Sequence, residues 1–387
     1  MQRFKTWEVS QCSVIKMRER IEDIDLSIRK ISEKAAEQEE VVRFDIGQPS
    51  FDTPQHIKEA AKEGLKNKQS YSPMLGIEEL REAVAGEENE KIGFGEEGKK
   101  IEKEHVMVTT GGMGALYAIF SARLETDDKA IFNDPCWGPY KMISEVSENE
   151  WSQVKYWDED RNLRDEAKEE IRDADMMVVN TPGNPTGYVL TEEQAKEIGE
   201  FADEHDTFLV SDEVYHRLTY GKKHYSPAAY TENSAIIGSV SKNHAMTGWR
   251  IGWIIDEEEN IEQYAKVSRA STACPPRVSQ YAAVEALEND KHVEEMREVY
   301  EERRNLLVER MNDLGWDFVA PEGAIYAFPK VGEDSWDFCM DMIDEGVAMV
   351  PGEPMGPDSD QNVRICFGST TEEEINQAFD KLDGVFE

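Results

Sequence analysis

Between residues 105 and 255 the chain repeats one pattern: a short apolar run, then a helical stretch or a long loop. The runs lie at 106–108, 130–132, 176–179, 208–210, 235–237 and 251–255. Runs this short and this uniformly apolar read as strands buried on both faces. Alternating with helices, they predict a mostly parallel sheet covered on both sides. Ligands of such sheets bind beyond the carboxyl ends of the strands. Chemistry is therefore expected just after the runs.

The flanking sequence predicts a second unit. Helical patterns occupy 257–270, 278–287 and 291–314. Strand-like pieces follow at 316–319, 325–328, 347–350 and 363–366, and a last helix at 372–382. Upstream, Ile21, Ile24, Ile28, Ile31 and Ala35 recur at spacings of three and four, the stripe of one amphipathic helix. Residues 41–46 read as a short strand, and Asp52-Thr53-Pro54 as a helix start with Pro54 at its first position. A chain of 387 residues exceeds what one core usually serves. The expected division is a larger α/β domain over 45–275 and a smaller α+β domain built from 1–44 and 276–387.

The 81 acidic side chains outnumber the 43 Lys and Arg, for a net charge of −38. That balance repels nucleic acid and anionic membranes, so neither is expected as a partner. The acids are spread along the chain beside hydrophobic segments, as at Glu78-Glu79, Glu87-Glu88 and Asp256-Glu257-Glu258-Glu259. A salt-rich cytoplasm, in which self-repulsion is screened, accounts for such a surface. The rival is a plainly acidic protein of ordinary cytoplasm. Cys12, Cys136, Cys274, Cys339 and Cys366 form no Cys-x-x-Cys pair, against both a disulfide framework and a zinc site. His205, His216, His224 and His244 lack metal-ligand spacing and read as surface or packing residues. No apolar run approaches the roughly eighteen residues of a membrane helix. The first ten residues lead into no apolar stretch of the signal-peptide kind. The expectation is a cytoplasmic protein.

One segment stands out: Ser239-Val240-Ser241-Lys242-Asn243-His244-Ala245-Met246-Thr247-Gly248-Trp249-Arg250. A lysine after a buried strand, among small hydroxyl residues, is oddly placed for a solvated charge. Alone it would pass for a loop lysine. Asp212 follows another buried run, with Tyr215 three residues on. An aldehyde cofactor on a pyridine ring needs such a lysine to form an imine, and a carboxylate to keep the ring nitrogen protonated.

These residues carry a resemblance. The chain resembles the fold-type I pyridoxal-phosphate enzymes, specifically the class I/II aminotransferases, from about residue 28 to 384. Gly47-Gln48-Pro49-Ser50-Phe51-Asp52-Thr53-Pro54 is similar to the family's G-x-P-x-F-D-T-P, and Tyr71-Ser72-Pro73-Met74-Leu75-Gly76 to its Y-[ST]-P-x-x-G. Asn184-Pro185-Thr186-Gly187, Ser211-Asp212-Glu213-Val214-Tyr215 and the lysine segment complete five motifs in order. Each is weak alone; the ordered set is specific.

The resemblance implies roles position by position. Lys242 would carry pyridoxal 5'-phosphate as a Schiff base and later move the proton between substrate and cofactor. Asp212 would pair with the pyridine nitrogen, while Tyr215 and Asn184 would bond the phenolic oxygen. Arg250 and Ser239 would hold the phosphate, joined by Gly112 and Met113 at a helix start. A dinucleotide site is the rival for that glycine turn, but Tyr117 stands where its third glycine belongs. Trp137 matches the aromatic that stacks on the ring. Arg364 matches the arginine for the substrate α-carboxylate, with Gly47 offering an amide. Tyr71 would reach the phosphate of a neighbouring subunit, implying a homodimer with shared sites.

The implied reaction passes an amino group from an L-α-amino acid to a 2-oxo acid, with 2-oxoglutarate as the implied acceptor. A β-lyase or decarboxylase of the same fold is the nearer alternative, and a cofactor-binding DNA-reading sensor the remoter one. Substrate identity is weakly encoded. Met113 occupies the turn position where one aspartate-using branch has a lysine, so aspartate, neutral and aromatic donors all stay open.

Overall fold

The computed structural model describes residues 19–22, 24, 26–91, 94 and 100–386. The alternation becomes one seven-stranded sheet. Its strands are β1 (Val106–Thr109), β2 (Lys129–Asn133), β3 (Glu150–Val154), β4 (Met176–Asn180), β5 (Phe208–Asp212), β6 (Ser234–Ser239) and β7 (Gly252–Ile255). They run in the order β1-β7-β6-β5-β4-β2-β3. Four of the six pairings are parallel; β7 alone runs against its neighbours β1 and β6.

Period-two alternation sends successive side chains to opposite faces, and both faces are dry. Met107, Phe132, Val178, Val210 and Ile237 pack with Leu116, Ile119 and Tyr264 on one side. Val108, Ile131, Val179, Leu209 and Trp253 pack with Ile57, Leu80, Val84 and Ala282 on the other. Continuous apolar runs were therefore the right signature. The exception is β3, an edge strand paired only with β2. Its residues are half-wetted, so Glu150, Ser152 and Gln153 are tolerated and no apolar run announced it.

The smaller α+β unit holds a three-stranded antiparallel sheet, Val350–Pro351, Val363–Cys366 and Tyr326–Ala327. Val42–Arg43 pairs in parallel with Val347–Ala348 beside it. Phe44, Tyr300, Leu307, Phe338, Phe367 and Phe379 fill its core. The helices Lys291–Asp313, Ser335–Asp344 and Glu372–Phe386 supply much of that packing.

Several local expectations change. Residues 316–319 form no strand, only a bridge from Asp317 to Lys330, and Val319 is 71% exposed. The strand expected over 41–46 shrinks to Val42–Arg43. The amphipathic stripe is helical over Ile28–Ala36, where Ile31 and Ala35 are buried, with a separate turn at Glu19–Glu22. Pro54 caps the helix Gln55–Gly64 rather than opening it, since its ψ of 147° is extended. Cys12 and the first ten residues lie outside the described residues.

Gly252 marks where β7 meets the turn after β1. A Cβ there would lie 2.7 Å from the Gly111 carbonyl carbon and 2.9 Å from the Gly112 nitrogen, both backbone. Gly252→Ala is expected to cost about 1–3 kcal/mol. Gly86, exposed within the helix Glu78–Glu90, has open space around its Cα. Gly86→Ala is expected to stabilise by about 0.5–1 kcal/mol. Urea unfolding of the two variants in one buffer checks both, and equal midpoints would contradict the packing at Gly252.

Candidate active site

The carboxyl ends of β1, β4, β5 and β6 open into a cavity of about 390 Å³. Gly47, Gly112, Met113, Trp137, Asn184, Asp212, Tyr215, Ser239, Lys242, Arg250 and Arg364 all line it. Residues scattered over more than 300 positions of sequence thus converge on one space. Tyr71 is the exception: it does not line the cavity and is 85% exposed, its carbonyl held by Arg277 at 2.9 Å.

Asp212 ends β5, where sheet register sets it opposite Asn180 and Ile237. Its carboxylate accepts from the Tyr140 hydroxyl at 2.6 Å and the Val214 amide at 3.4 Å. Both donors are neutral. Burial raises its pKa to about 6 against the pull of these bonds. Asn180 braces the same edge, donating to the Asp212 carbonyl at 2.9 Å and accepting from the Asn184 amide at 2.7 Å.

Lys242 lies on the short helix Val240–Asn243, capped by Ser239, whose hydroxyl accepts from the Ser241 amide. Its Nζ donates to the Gly47 carbonyl. Burial lowers its pKa to about 8, and the like charges of Arg364 and Arg250 push the same way. A neutral amine is thus accessible near neutrality, as a nucleophile requires. Tyr215 Oη meets Tyr326 Oη at 2.9 Å.

At the other end of the cavity the helix Gly111–Arg123 begins without a side-chain cap. Its first amides are free of intrahelical partners and carry the positive end of the helix dipole. Gly111 has φ +74°, and a Cβ there would lie 2.6 Å from an Arg250 guanidinium nitrogen. Arg250 is bonded to the carbonyl oxygens of Thr247 at 3.0 Å and Thr110 at 3.3 Å. Guanidinium and amides therefore converge on one anion-sized cup. Ser239 Oγ already bonds Ser241 Oγ at 2.8 Å and the Ile251 carbonyl at 2.9 Å, so Ser241 belongs to the same cup.

Arg364 comes from the smaller unit, on the strand Val363–Cys366. It is buried, its guanidinium 4.8 Å from the Tyr326 ring centroid and 3.3 Å from Asn184 Oδ1. Its Nε has no partner among the described residues. A buried guanidinium with a spare donor favours an anion beside it. A Cβ on Gly47 would lie 2.9 Å from Tyr326 Oη, so glycine alone admits this close approach.

The residues present fit pyridoxal phosphate. The cup offers amides and a guanidinium for phosphate, Asp212 a buried carboxylate for a ring cation, and Lys242 an amine between them. Trp137 stands at the rim, edge-on to Tyr140 at 5.5 Å. Sequence reasoning missed Tyr140, Asn180, Ser241 and Tyr326. Tyr140 had one usable signal, its place one helical turn after Trp137 on the helix Pro139–Ser147. Tyr326 had none, its strand being two residues long.

Comparison with known proteins agrees with this geometry. The family model of aminotransferase class I and II matches residues 39–382. The aromatic-amino-acid aminotransferase 2 of Thermococcus litoralis is 36% identical over 383 residues, covering 95% of this chain and 97% of its own. The aspartate aminotransferase of Pyrococcus abyssi is 36% identical over 373 residues, covering 92% and 95%. The solved aspartate aminotransferase of Thermus thermophilus with maleate superposes with a TM-score of 0.86 at 33% identity, covering 96% and 99%. The chain belongs to the class I and II aminotransferases and is a pyridoxal-phosphate-dependent enzyme that transfers amino groups.

Proposed function

We propose that Lys242 is the lysine that binds the cofactor and moves the proton, and that the enzyme passes the amino group of an L-α-amino acid to a 2-oxo acid, 2-oxoglutarate among them. The observation that carries this is the shared cavity, in which Lys242, Asp212, Arg250 and Arg364 face one space from four separate segments. Pyridoxal phosphate, when bound, supplies an aldehyde carbon for amine capture and a pyridine ring that draws electrons from the substrate carbon.

The chain's own residues do the rest. Gly112, Met113, Ser239 and Arg250 would hold the phosphate, and Trp137 would cover the ring face. Asp212, kept in place by Tyr140, holds the proton on the ring nitrogen. Tyr215 and Asn184 would donate to the phenolic oxygen. Arg364 and the Gly47 amide orient the substrate carboxylate, which fixes the α-carbon beside Lys242 Nζ. With its amine free beside the α-carbon, Nζ would take the α-proton as general base and return it as general acid. A pKa lowered to about 8 suits an amine that must do both.

The substrate carboxylate would draw the two units together, because Arg364 lies in one and Lys242 in the other. The domains are proposed as 45–275 and 1–44 with 276–387. Tyr71, a large aromatic 85% exposed, supports a homodimer in which it completes the phosphate cup of the partner. A reducing cytoplasm accords with Cys136, Cys274, Cys339 and Cys366 all being free. Among the described residues no helix is long and apolar enough to cross a membrane.

Three outcomes test this reading. Amino acids added singly to the loaded enzyme, without oxo acid, are expected to convert the cofactor to its aminated form, reversed by 2-oxoglutarate. Lys242→Ala is expected to lose this conversion, and full turnover by that variant would refute the assignment.

The second concerns pH in the cofactor-free protein. Folded Asp212 titrates at about 6 against an ordinary 3.8, so it favours the proton-bound form and stability falls as pH rises from about 4 to about 6. Folded Lys242 titrates at about 8 against an ordinary 10.5, so stability rises again between those values. The unfolding profile of Asp212→Asn should lack the first slope, and that of Lys242→Met the second. Profiles superimposable on the parent would contradict both shifts.

The third concerns salt. With a net charge of −38, self-repulsion reaches about 30 Å at 0.01 M salt and about 3 Å at 1 M. Thermal midpoint and activity are expected to fall on dialysis from molar salt to dilute buffer. Full stability in dilute buffer would end the halophilic reading.

A further inference from the structure

Directly behind the cofactor cavity lies a buried band of ionisable side chains that touch neither cofactor cup nor substrate arginine. It contains Glu87, Glu88, Lys91, Glu213, His216, His224, His244 and His292. Five of the seven histidines belong to it or stack on it, His56 joining through His292 at 5.3 Å. Burying so many charges is costly unless each is paired. The tightest pairing is at Glu213, the residue after Asp212.

Strand periodicity explains its placement. Side chains at 211 and 213 point to the face of β5 opposite Asp212. There Ser211 Oγ donates to Glu213 Oε1 at 2.7 Å, so the two neighbours of Asp212 are bonded to each other behind it. Ser226 Oγ donates to the same oxygen. Oε2 takes His224 Nε2 at 2.8 Å and Lys91 Nζ at 3.1 Å. Four donors saturate a fully buried carboxylate. Its backbone continues the sheet, donating to the Ile237 carbonyl at 2.9 Å, and its carbonyl accepts from the His216 amide at 3.0 Å. His216 in turn faces two ways. Its Nδ1 lies 3.1 Å from the Glu213 carbonyl and 3.3 Å from Asn243 Nδ2, while Nε2 faces Glu87 at 3.4 Å. Asn243 is the residue after Lys242.

We propose that Glu213 is a positioning residue for amino transfer: saturated by Ser211, Ser226, His224 and Lys91, it pins the strand end carrying Asp212 and, through His216 and Asn243, the turn carrying Lys242. It also adds a buried negative charge next to the carboxylate assigned to the ring nitrogen. The groups facing it are Lys91 and Glu88 at the end of the helix Glu78–Glu90, His224 and Ser226 from the loop after β5, and His216. Burial opposes its charge, yet Lys91 and His224 hold Glu213 well below the usual carboxylate range. It therefore stays an anion throughout the working pH range.

This inference rests on the assignment of Asp212 to the cofactor ring, and the test separates the two. The loaded enzyme, Glu213→Gln, Ser211→Ala and Asp212→Asn are compared by the pH midpoint of the cofactor's absorption change, by kcat and KM, and by thermal unfolding. Removing the anion takes a stabiliser from the protonated cofactor, so Glu213→Gln should lower the midpoint by about 0.3 unit or more. Its kcat should fall about tenfold with KM within about twofold. Ser211→Ala, which deletes one bond of the brace and keeps the charge, should lower kcat by a smaller factor. A Glu213→Gln enzyme with reduced thermal stability but parental midpoint and kcat would overturn the proposal, since bulk structural support alone predicts that result. Where Glu213→Gln does not fold, a parental kcat in Ser211→Ala overturns it instead. If Asp212→Asn is itself silent in midpoint and turnover, the assignment of Asp212 fails whatever Glu213 does.

Discussion

Everything in the site turns on a carboxylate taken out of water. Asp212 is fully buried at the end of a central strand, with neutral donors beside it, and its proton affinity is raised as a result. In the cofactor-free protein that is a liability, because a buried charge without a counter-ion favours its neutral form. A cationic ring turns the same burial into an asset, since low dielectric strengthens the pairing. The sheet edge, Tyr140 and the Asn180–Asn184 bridge hold the carboxylate where that exchange can happen. Lys242 is the mirror case: an amine whose burial favours the neutral, nucleophilic form. One dry cavity tunes an acid upward and a base downward.

The sheet was legible because both of its faces are dry. Strands such as 208–212 are buried at every position, and a continuous apolar run such as Phe208–Val210 is hard to mistake. Polar residues at the ends of those runs were correspondingly informative: Asp212 and Lys242 came from that contrast, and Asn184 from the resemblance of its motif. The edge strand Glu150–Val154 escaped notice because water reaches it. The smaller unit was harder to read: its strands are two to four residues long, set by neighbours distant in sequence rather than by local pattern. The stretch 316–319 has strand-like composition, but only Asp317 finds a bridging partner.

Within the site, sequence motifs pointed to the side chains expected to touch cofactor or substrate and passed over those that support them. Tyr140 and Asn180 act on Asp212 through hydrogen bonds formed only after folding. The histidines behind the cavity illustrate the same limit. Their spacing excluded nothing except a local metal motif; His216, His224 and His244 read as surface or packing residues, and all three are buried. That they pack on each other, on Glu87 and on Glu213 is a property of topology. The helix Glu78–Glu90, the β5 edge and the Lys242 turn meet there although no local pattern links them.

The antiparallel strand β7 has a consequence for how such a protein can change. Because Ser239 and Gly252 are register partners, the chain leaves the sheet edge and returns to it within a single excursion. Lys242 and Arg250 both lie on that excursion, so one loop carries both the amine and the guanidinium. Its two ends are anchored to adjacent strands, which fixes its span. An insertion or deletion anywhere between them would displace both groups at once. The length of that loop is thus fixed by the sheet register as well as by the two groups it carries. A change of substrate on such a scaffold is therefore left to side chains contributed elsewhere, by the glycine turn and the smaller unit.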